Sequence, residues 1–237
     1  MRIALVGYGR MGRETEKAAV ARGHIISAVI DAGNISDVLT INPSNTDVAI
    51  EFSTPSTAYG NVSNILRQGV PVVCGTTGWD SQAFADRYGK SGMLSCQETD
   101  VAVSRPGLIV SSNFSIGVNL FFALNKHLVR LMQDKNYKPS ITETHHIHKL
   151  DRPSGTAKTL GTILQAQGYE GVPIESIREG EVAGIHTVVW DSEADKLVLT
   201  HEAKSRAGFA LGAVMAAEWL QGKTGVHTMA EVLGIEE

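Results

Sequence analysis

The sequence predicts an α/β protein: a doubly wound parallel sheet, followed by a second, α+β domain with a mixed or antiparallel sheet. Three observations carry this reading. A glycine-rich turn, Gly7-Tyr8-Gly9-Arg10-Met11-Gly12, joins the first strand pattern directly to a helix pattern. Short apolar runs then recur at helix-spaced intervals through the first half of the chain, as βαβ units require. From Ser140 onward the rhythm changes to clustered, alternating runs with one intervening helix pattern. That rhythm suits a sheet covered on one face only.

Residues 2–6 form the first strand, and a helix pattern starts at Arg13 and runs to Ala21. Gly7 permits the tight turn, Gly9 lets a pyrophosphate approach the backbone, and Gly12 lets helix and strand pack closely. The pyrophosphate would rest on the amides of the helix N-terminus. Strand followed by GxGxxG followed by helix is the context that makes this a Rossmann-type nucleotide turn. The second strand, residues 25–30, ends at Asp31, an acid placed to bond ribose hydroxyls. Ala32 follows it, with no adjacent base for a 2′-phosphate, so NADH is expected at least as readily as NADPH. Further strands are expected at residues 48–52, 70–74, 93–96 and 108–111, with a helix over 56–68 between the first pair. Ser53-Thr54-Pro55 and Gly75-Thr76-Thr77-Gly78 follow two of these strands. Ligands of such sheets bind beyond the carboxyl ends of strands. The second segment suits the nicotinamide half of a cofactor.

Residues 111–119 close the last of these strands and open a helix whose apolar face carries Leu120, Phe121, Leu124, Leu128 and Leu131. Asn113 can cap or bond an amide there, and Phe114 can pack. Strands are expected over 140–148, 177–181, 185–190 and 196–201, and the helix pattern returns over 208–220. That last helix is expected to rejoin the first domain. The expected domains are residues 1–115 with 208–237, for dinucleotide binding, and 116–207, for substrate binding and oligomerisation.

Composition narrows the function classes. With 237 residues, 43% hydrophobic, the chain can bury one large core or two smaller ones. A net charge of −4 and a pI of about 6.1 give no basic field for nucleic acid. No apolar run approaches the roughly 18–20 residues of a membrane span. The chain enters a strand at its start, so no signal peptide is expected. Its two cysteines, Cys74 and Cys96, lack CxxC spacing, and a reducing, cytoplasmic setting fits them. Cys74 ends an apolar run and reads as a buried small hydrophobe.

Chemistry concentrates in Glu143-Thr-His-His-Ile-His-Lys-Leu-Asp-Arg-Pro-Ser-Gly-Thr-Ala157. Histidines exchange protons near neutral pH, and a lysine supplies fixed charge or a proton. Ser154 is a candidate N-cap, with Gly155 and Thr156 presenting first-turn amides to an anion. In an extended strand His145 and Lys149 would lie roughly 13 Å apart. Either the chain bends after His146, or the two groups serve different ends of a substrate. Asp151-Arg152-Pro153 supports a bend. A metal site is not expected, because the spacing lacks HExxH order and adjacent strand histidines face opposite ways. His186 and His201 read as strand residues without a role, and Arg206 by spacing alone reads as a solvated surface arginine.

Assembled, these residues resemble the dihydrodipicolinate reductase (4-hydroxy-tetrahydrodipicolinate reductase) family of diaminopimelate–lysine biosynthesis. The likeness covers nearly the whole chain. Its carriers are the Gly7–Arg13 turn, Gly75-Thr76-Thr77-Gly78, Asn113 through Asn119, and Glu143 through Ala157, with support from Arg178-Glu179-Gly180-Glu181, His186-Thr187 and Ser205-Arg206. The resemblance implies that His145 is the proton donor/acceptor and Lys149 the second proton donor. It implies that His146, Ser154, Gly155, Thr156 and Arg206 hold two substrate carboxylates. Gly7, Tyr8, Gly9, Arg10, Met11, Gly12, Asp31, Gly75, Thr76, Thr77, Ser111, Ser112, Asn113 and Phe114 would hold NADH or NADPH. A cytoplasmic homotetramer built through the second domain's sheets is implied as well. Two departures stand out: the stretch after Asp31 is short and lacks a basic neighbour, and Ile185 replaces an acid common before His186. Two alternatives compete: another NAD(P)-dependent oxidoreductase of an amino-acid-like dicarboxylate, and a nucleotide-binding sensor without catalysis.

Overall fold

Strand β1 (Arg2–Val6) decides the layering of the first unit. Its side chains alternate between two cores: Ala4 and Val6 face one, Ile3 and Leu5 the other. A strand buried on both sides must lie inside a sheet with helices on both faces. The computed structural model describes residues 1–91 and 105–235 and bears this out. Here β1, β2 (Ile25–Ile30), β3 (Val48–Glu51), β4 (Val72–Cys74), β5 (Gly107–Val110) and β10 (Gly225–His227) form one sheet in the order β10-β5-β4-β3-β1-β2. Every pairing in it is parallel.

Helices α2 (Pro55–Arg67) and α3 (Ser81–Ser91) cover one face with Val62, Ile65, Leu66, Phe84 and Tyr88. The other face takes α1 (Arg10–Ala21), α6 (Ala207–Leu220) and α7 (Met229–Val232). Ala210, Gly212, Ala213, Ala216 and Ala217 of α6 are buried, and small side chains of this kind let a helix sit close against a sheet. The segment Ala32–Thr40 is a 3₁₀ helix that follows β2. The expected strand 93–96 lies outside the described residues. Neither the three residues of β10 nor the four of α7 span enough chain for a periodic signal.

By contact the chain divides into Met1–Ser115 with Ala207–Glu237, and Ile116–Arg206. The second unit holds a four-stranded sheet in the order β7-β6-β8-β9, formed by β6 (Lys138–His145), β7 (Ile174–Arg178), β8 (Ile185–Asp191) and β9 (Lys196–Glu202). β7 runs parallel to β6, while β8 is antiparallel to β6 and β9 to β8. The sheet is therefore mixed. A parallel neighbour needs a crossover, and α5 (Gly155–Gln165) provides it between β6 and β7. α4 (Ile116–Met132) and α5 cover one face, burying Phe121, Val129, Ile141, Leu160, Leu164, Val188 and Trp190. The strand expected over 177–181 lies at Ile174–Arg178 instead. Beyond Arg178 the chain turns: Val182 N–H donates to Glu179 O, and Gly180 has φ +46°.

Candidate active site

Gly7 turns the chain out of β1 with φ +91°. A Cβ at Gly7 would lie 2.1 Å from Phe52 O, and one at Gly12 would lie 2.2 Å from Gly7 O. Only glycine lets α1 pack so closely onto this turn. A Cβ on Gly9, by contrast, would meet nothing within 4 Å. Gly9 is also the N-cap of α1 and makes no side-chain cap bond, so the cap residue does not compete with an anion for the first-turn amides. These features fit a dinucleotide pyrophosphate. Tyr8 Oη donates to Glu16, and the Arg13 guanidinium stands 4.8 Å over the Tyr8 ring. Arg10 is exposed and Met11 half-buried.

Because the sheet is parallel, the other expected cofactor residues gather at the same edge, past the carboxyl ends of their strands. Asp31 is exposed after β2, and its N–H donates to Asn34 Oδ1 at 2.8 Å. After β4, a Cβ on Gly75 would overlap the Phe52 ring at 2.0 Å. Thr76 is buried and its Oγ1 accepts from Ser53 N–H at 2.8 Å, while Thr77 is exposed. After β5, Ser111 Oγ donates to Asn113 O at 2.9 Å, and Asn113 Oδ1 accepts from Ser115 N–H at 2.8 Å. Ser112 is exposed; Phe114 is buried edge-on against Phe52, 6.0 Å between centroids. Thr76 and Phe114 are thus the frame of this edge, and Gly9, Arg10, Asp31, Thr77 and Ser112 are its accessible surface.

Sequence reasoning missed Glu51 here. It is fully buried at the end of β3, and its carboxylate accepts from Ser53 N–H at 3.1 Å, from Ser53 Oγ, and from Cys74 Sγ at 3.0 Å. Asn61 Nδ2 donates to the same Ser53 hydroxyl at 3.2 Å. The loops after β3 and β4 are tied together through this carboxylate. Burial first, and Glu51 beside it, push the Cys74 thiol well up, so the group stays a thiol at neutral pH and is no nucleophile.

In the second unit the inner face of the sheet carries polar groups at one end. Register aligns Ser176, Glu143, His186 and His201 across β7, β6, β8 and β9, and pairs His145 with Arg178 in the adjacent row. Glu143 is fully buried, with Arg178 Nη2 donating to Oε1 at 2.9 Å and His145 Nδ1 in direct contact with Oε2. Burial opposes its charge, but Arg178, Ser176 and His145 hold the Glu143 carboxyl below its ordinary value. Burial first, with Lys149 and Arg178 nearby, lowers the pKa of His145, while Glu143 acts in the opposite direction. The His186 ring stands at 73° to His145, 5.0 Å between centroids, and its Nε2 meets Ser154 Oγ at 3.1 Å. Burial and the neighbouring His145 lower the pKa of His186 to about 4, so that ring is neutral at physiological pH. Ligand-type atoms of Glu143, His145 and His186 lie within 4.8 Å of one another, but Arg178 supplies the cation that Glu143 requires.

The chain does bend after His146. β6 ends at His145, and Lys149 N–H donates to His146 O at 3.1 Å. Lys149 Nζ pairs with Asp151 at 2.8 Å. Its charge is felt at both His145 and His186. Arg178 holds the bend, with Nε donating to Lys149 O at 3.1 Å and Nη2 to Asp151 O at 2.6 Å. The Arg152–Pro153 peptide is cis. Ser154 then N-caps α5, its side chain accepting from Ala157 N–H at 3.2 Å, and Gly155 and Thr156 open the helix. His146 is half-buried. His148 is exposed and pairs with Glu181 at 3.2 Å. Arg206 is exposed and takes no part in this network.

The structure therefore brings His145 and Ser154 together through His186 and Glu143, and tethers Lys149 to the same arginine. His186 had a readable signal: it shares the alternation phase of buried Val188 and Trp190. Arg178 had only its position in a conspicuous charged run.

The family models described as dihydrodipicolinate reductase, N-terminus, and dihydrodipicolinate reductase, C-terminus, match residues 1–87 and 117–233. The 4-hydroxy-tetrahydrodipicolinate reductase of Christiangramia forsetii is 44% identical over 98% of both chains. That of Neisseria meningitidis serogroup B is 30% identical over 99% of this chain and 98% of its own. Among solved structures, dipicolinate-bound dihydrodipicolinate reductase from Paenisporosarcina sp. TG-14 shares the fold, with a TM-score of 0.75 at 22% identity over 98% of each chain. Matched in both halves and along its whole length, the chain belongs to the dihydrodipicolinate reductase family.

Proposed function

We propose that this protein reduces 4-hydroxy-tetrahydrodipicolinate to tetrahydrodipicolinate with NADH or NADPH, in the cytoplasm, as a step of diaminopimelate–lysine biosynthesis. One observation carries the reading: a relative named for this reaction is 44% identical from end to end. The His145 network and the Ser154-capped turn give that likeness a chemical basis. When bound, the reduced nicotinamide supplies hydride. Water leaves the 4-hydroxy substrate, and hydride and one proton enter.

Residues 1–115 with 208–237 bind the nucleotide through the Gly7–Gly12 turn, Asp31, Gly75–Thr77 and Ser111–Phe114. Residues 116–207 bind substrate. His145 donates or accepts the proton and Lys149 is the second donor. Gly155 and Thr156 offer first-turn amides to one carboxylate, and Ser154, His146 and Arg206 complete the hold on the dianion. Cationic groups near the ring favour charge that develops during the reaction. The exposed Asp31 carboxylate accepts ribose hydroxyls and repels a 2′-phosphate, which supports NADH as a donor at least equal to NADPH.

The sheet face away from α4 and α5 presents Ile177 and Val198, which are 37% and 52% exposed, beside Thr187 and Thr200, whose hydroxyls meet at 3.1 Å. Such a surface supports assembly of a homotetramer through this sheet. No helix among the described residues is long and apolar enough to cross a membrane. The function is tested by Lys149→Ala, expected to lower kcat by about 10²-fold or more with little change in the KM for the nucleotide. A near-wild-type kcat would remove Lys149 from the mechanism.

A further inference from the structure

The pair Glu143–Arg178 is fully buried at the carboxylate and nearly so at the guanidinium, and it touches the His145 ring and the backbone of Lys149. Glu143 Oε2 contacts His145 Nδ1, while Arg178 bonds Glu143 Oε1, Lys149 O and Asp151 O. Gly184 stands opposite the end of β6, and a Cβ there would come within 3.1 Å of His145 Nε2. One ring nitrogen therefore meets a carboxylate and the other faces a position kept free of a side chain.

We propose that Glu143 and Arg178 are positioning residues: Glu143 fixes His145 in the tautomer protonated at Nδ1, making Nε2 the atom that exchanges a proton, and Arg178 anchors the bend that presents Lys149. This rests on the reading of His145 and Lys149 as proton-transfer groups. An ionised carboxylate only accepts hydrogen bonds, so a neutral imidazole beside Glu143 must turn its N–H toward it. The depressed pKa of Glu143 and the lowered pKa of His145 are what this pairing of carboxylate with neutral ring requires. Arg178 reaches four acceptors in different directions, the fourth being Ile177 O from Nη1 at 2.7 Å, because its guanidinium is a planar fork; a lysine ammonium on a flexible stem cannot reproduce that geometry.

The test is Glu143→Gln. Arg178 has only donors, so it claims the amide oxygen and leaves the amide NH₂ facing His145 Nδ1. The ring must then accept at Nδ1 and carry its proton at Nε2. Solid-state ¹⁵N spectra of histidine-labelled protein, with the His145 signal identified by its loss in His145→Asn, report the tautomer without any turnover. The expected wild-type ring is protonated at Nδ1 and shifts to Nε2 in Glu143→Gln. In the variant kcat should fall by about 10²-fold or more, as wrong-tautomer and general-acid losses do, with nucleotide affinity unchanged. Arg178→Lys should lower kcat by about tenfold or more while leaving nucleotide affinity alone.

A wild-type ring protonated at Nε2 would overturn the proposal, and that measurement needs no variant to fold. A Glu143→Gln enzyme with wild-type kcat and an unshifted ring would overturn it too, and wild-type kcat in Arg178→Lys would remove the arginine from it. The reading beneath it fails separately: a fully active His145→Ala enzyme would end the proton role of His145 whatever its tautomer.

Discussion

His186 shows how burial turns one side chain into a pH-dependent term in stability. Burial first, then His145, His201 and Lys149, lower its pKa from 6.5 to about 4, with Glu143 opposing them. Above pH 6.5 the ring is neutral whether the chain is folded or not. Between 6.5 and 4 the unfolded chain binds a proton that the folded chain refuses. Folding stability should therefore fall with pH across that window, by up to about 3 kcal/mol, and level off below it. Denaturant melts of wild type and His186→Asn at pH 7 and pH 4.5 check this: the wild type should lose more stability than the variant. Asp31 gives a second expectation at this scale. Replacing it with Ala should move the NADPH:NADH ratio of kcat/KM toward NADPH by about tenfold, the size of a modest charge–phosphate repulsion. His145, Lys149 and Ser154 were legible in the sequence because they share one short segment. The Glu143–Arg178 pair was not, because 35 residues and α5 separate its members. It exists only through the parallel register of β6 and β7.

At the scale of elements, the clearest dependence is the start of α5 on Ser154. The hydroxyl caps the helix through Ala157 N–H and meets His186 Nε2. Ser154→Ala should cost about 1 kcal/mol of stability, measured by denaturant melting, and raise the KM for substrate more than it lowers kcat. The cap was readable because Pro-Ser-Gly-Thr precedes an apolar stripe at helical spacing. β1, β2 and α6 were equally readable, each having a full run of consistent pattern. The strand expected over 177–181 instead spans Ile174–Arg178, three residues earlier, because Gly180 makes a turn beyond it. β10 and α7 gave no signal, and their place is set by the neighbours they pack against. Glu51 hid inside a strand: an acid ending an apolar run reads as a solvated boundary, yet Ser53 and Cys74 satisfy it in the interior.

At the scale of the molecule, the chain divides into two compact units. The first has a glycine turn whose close contacts at Gly7 and Gly12 tolerate no side chain, and the second holds a buried row of acid and base side chains. The sheet face of the second unit away from α4 and α5 gives a molecular expectation: Val198→Glu should yield a smaller species by light scattering, with nucleotide binding intact. An unchanged mass would place assembly elsewhere. The fold class was legible from pattern alone, because alternation and helix spacing survive without knowledge of register, whereas the acid–base row needed four strands in alignment. The measurement that bears most directly on the central claim is oxidation of NADH and of NADPH with freshly generated 4-hydroxy-tetrahydrodipicolinate, wild type against His145→Ala. Rapid oxidation by the wild type that collapses by about 10²-fold or more in the variant is the expected result. Nucleotide binding without oxidation of either cofactor would contradict it and leave a sensor, or another dicarboxylate, as the reading.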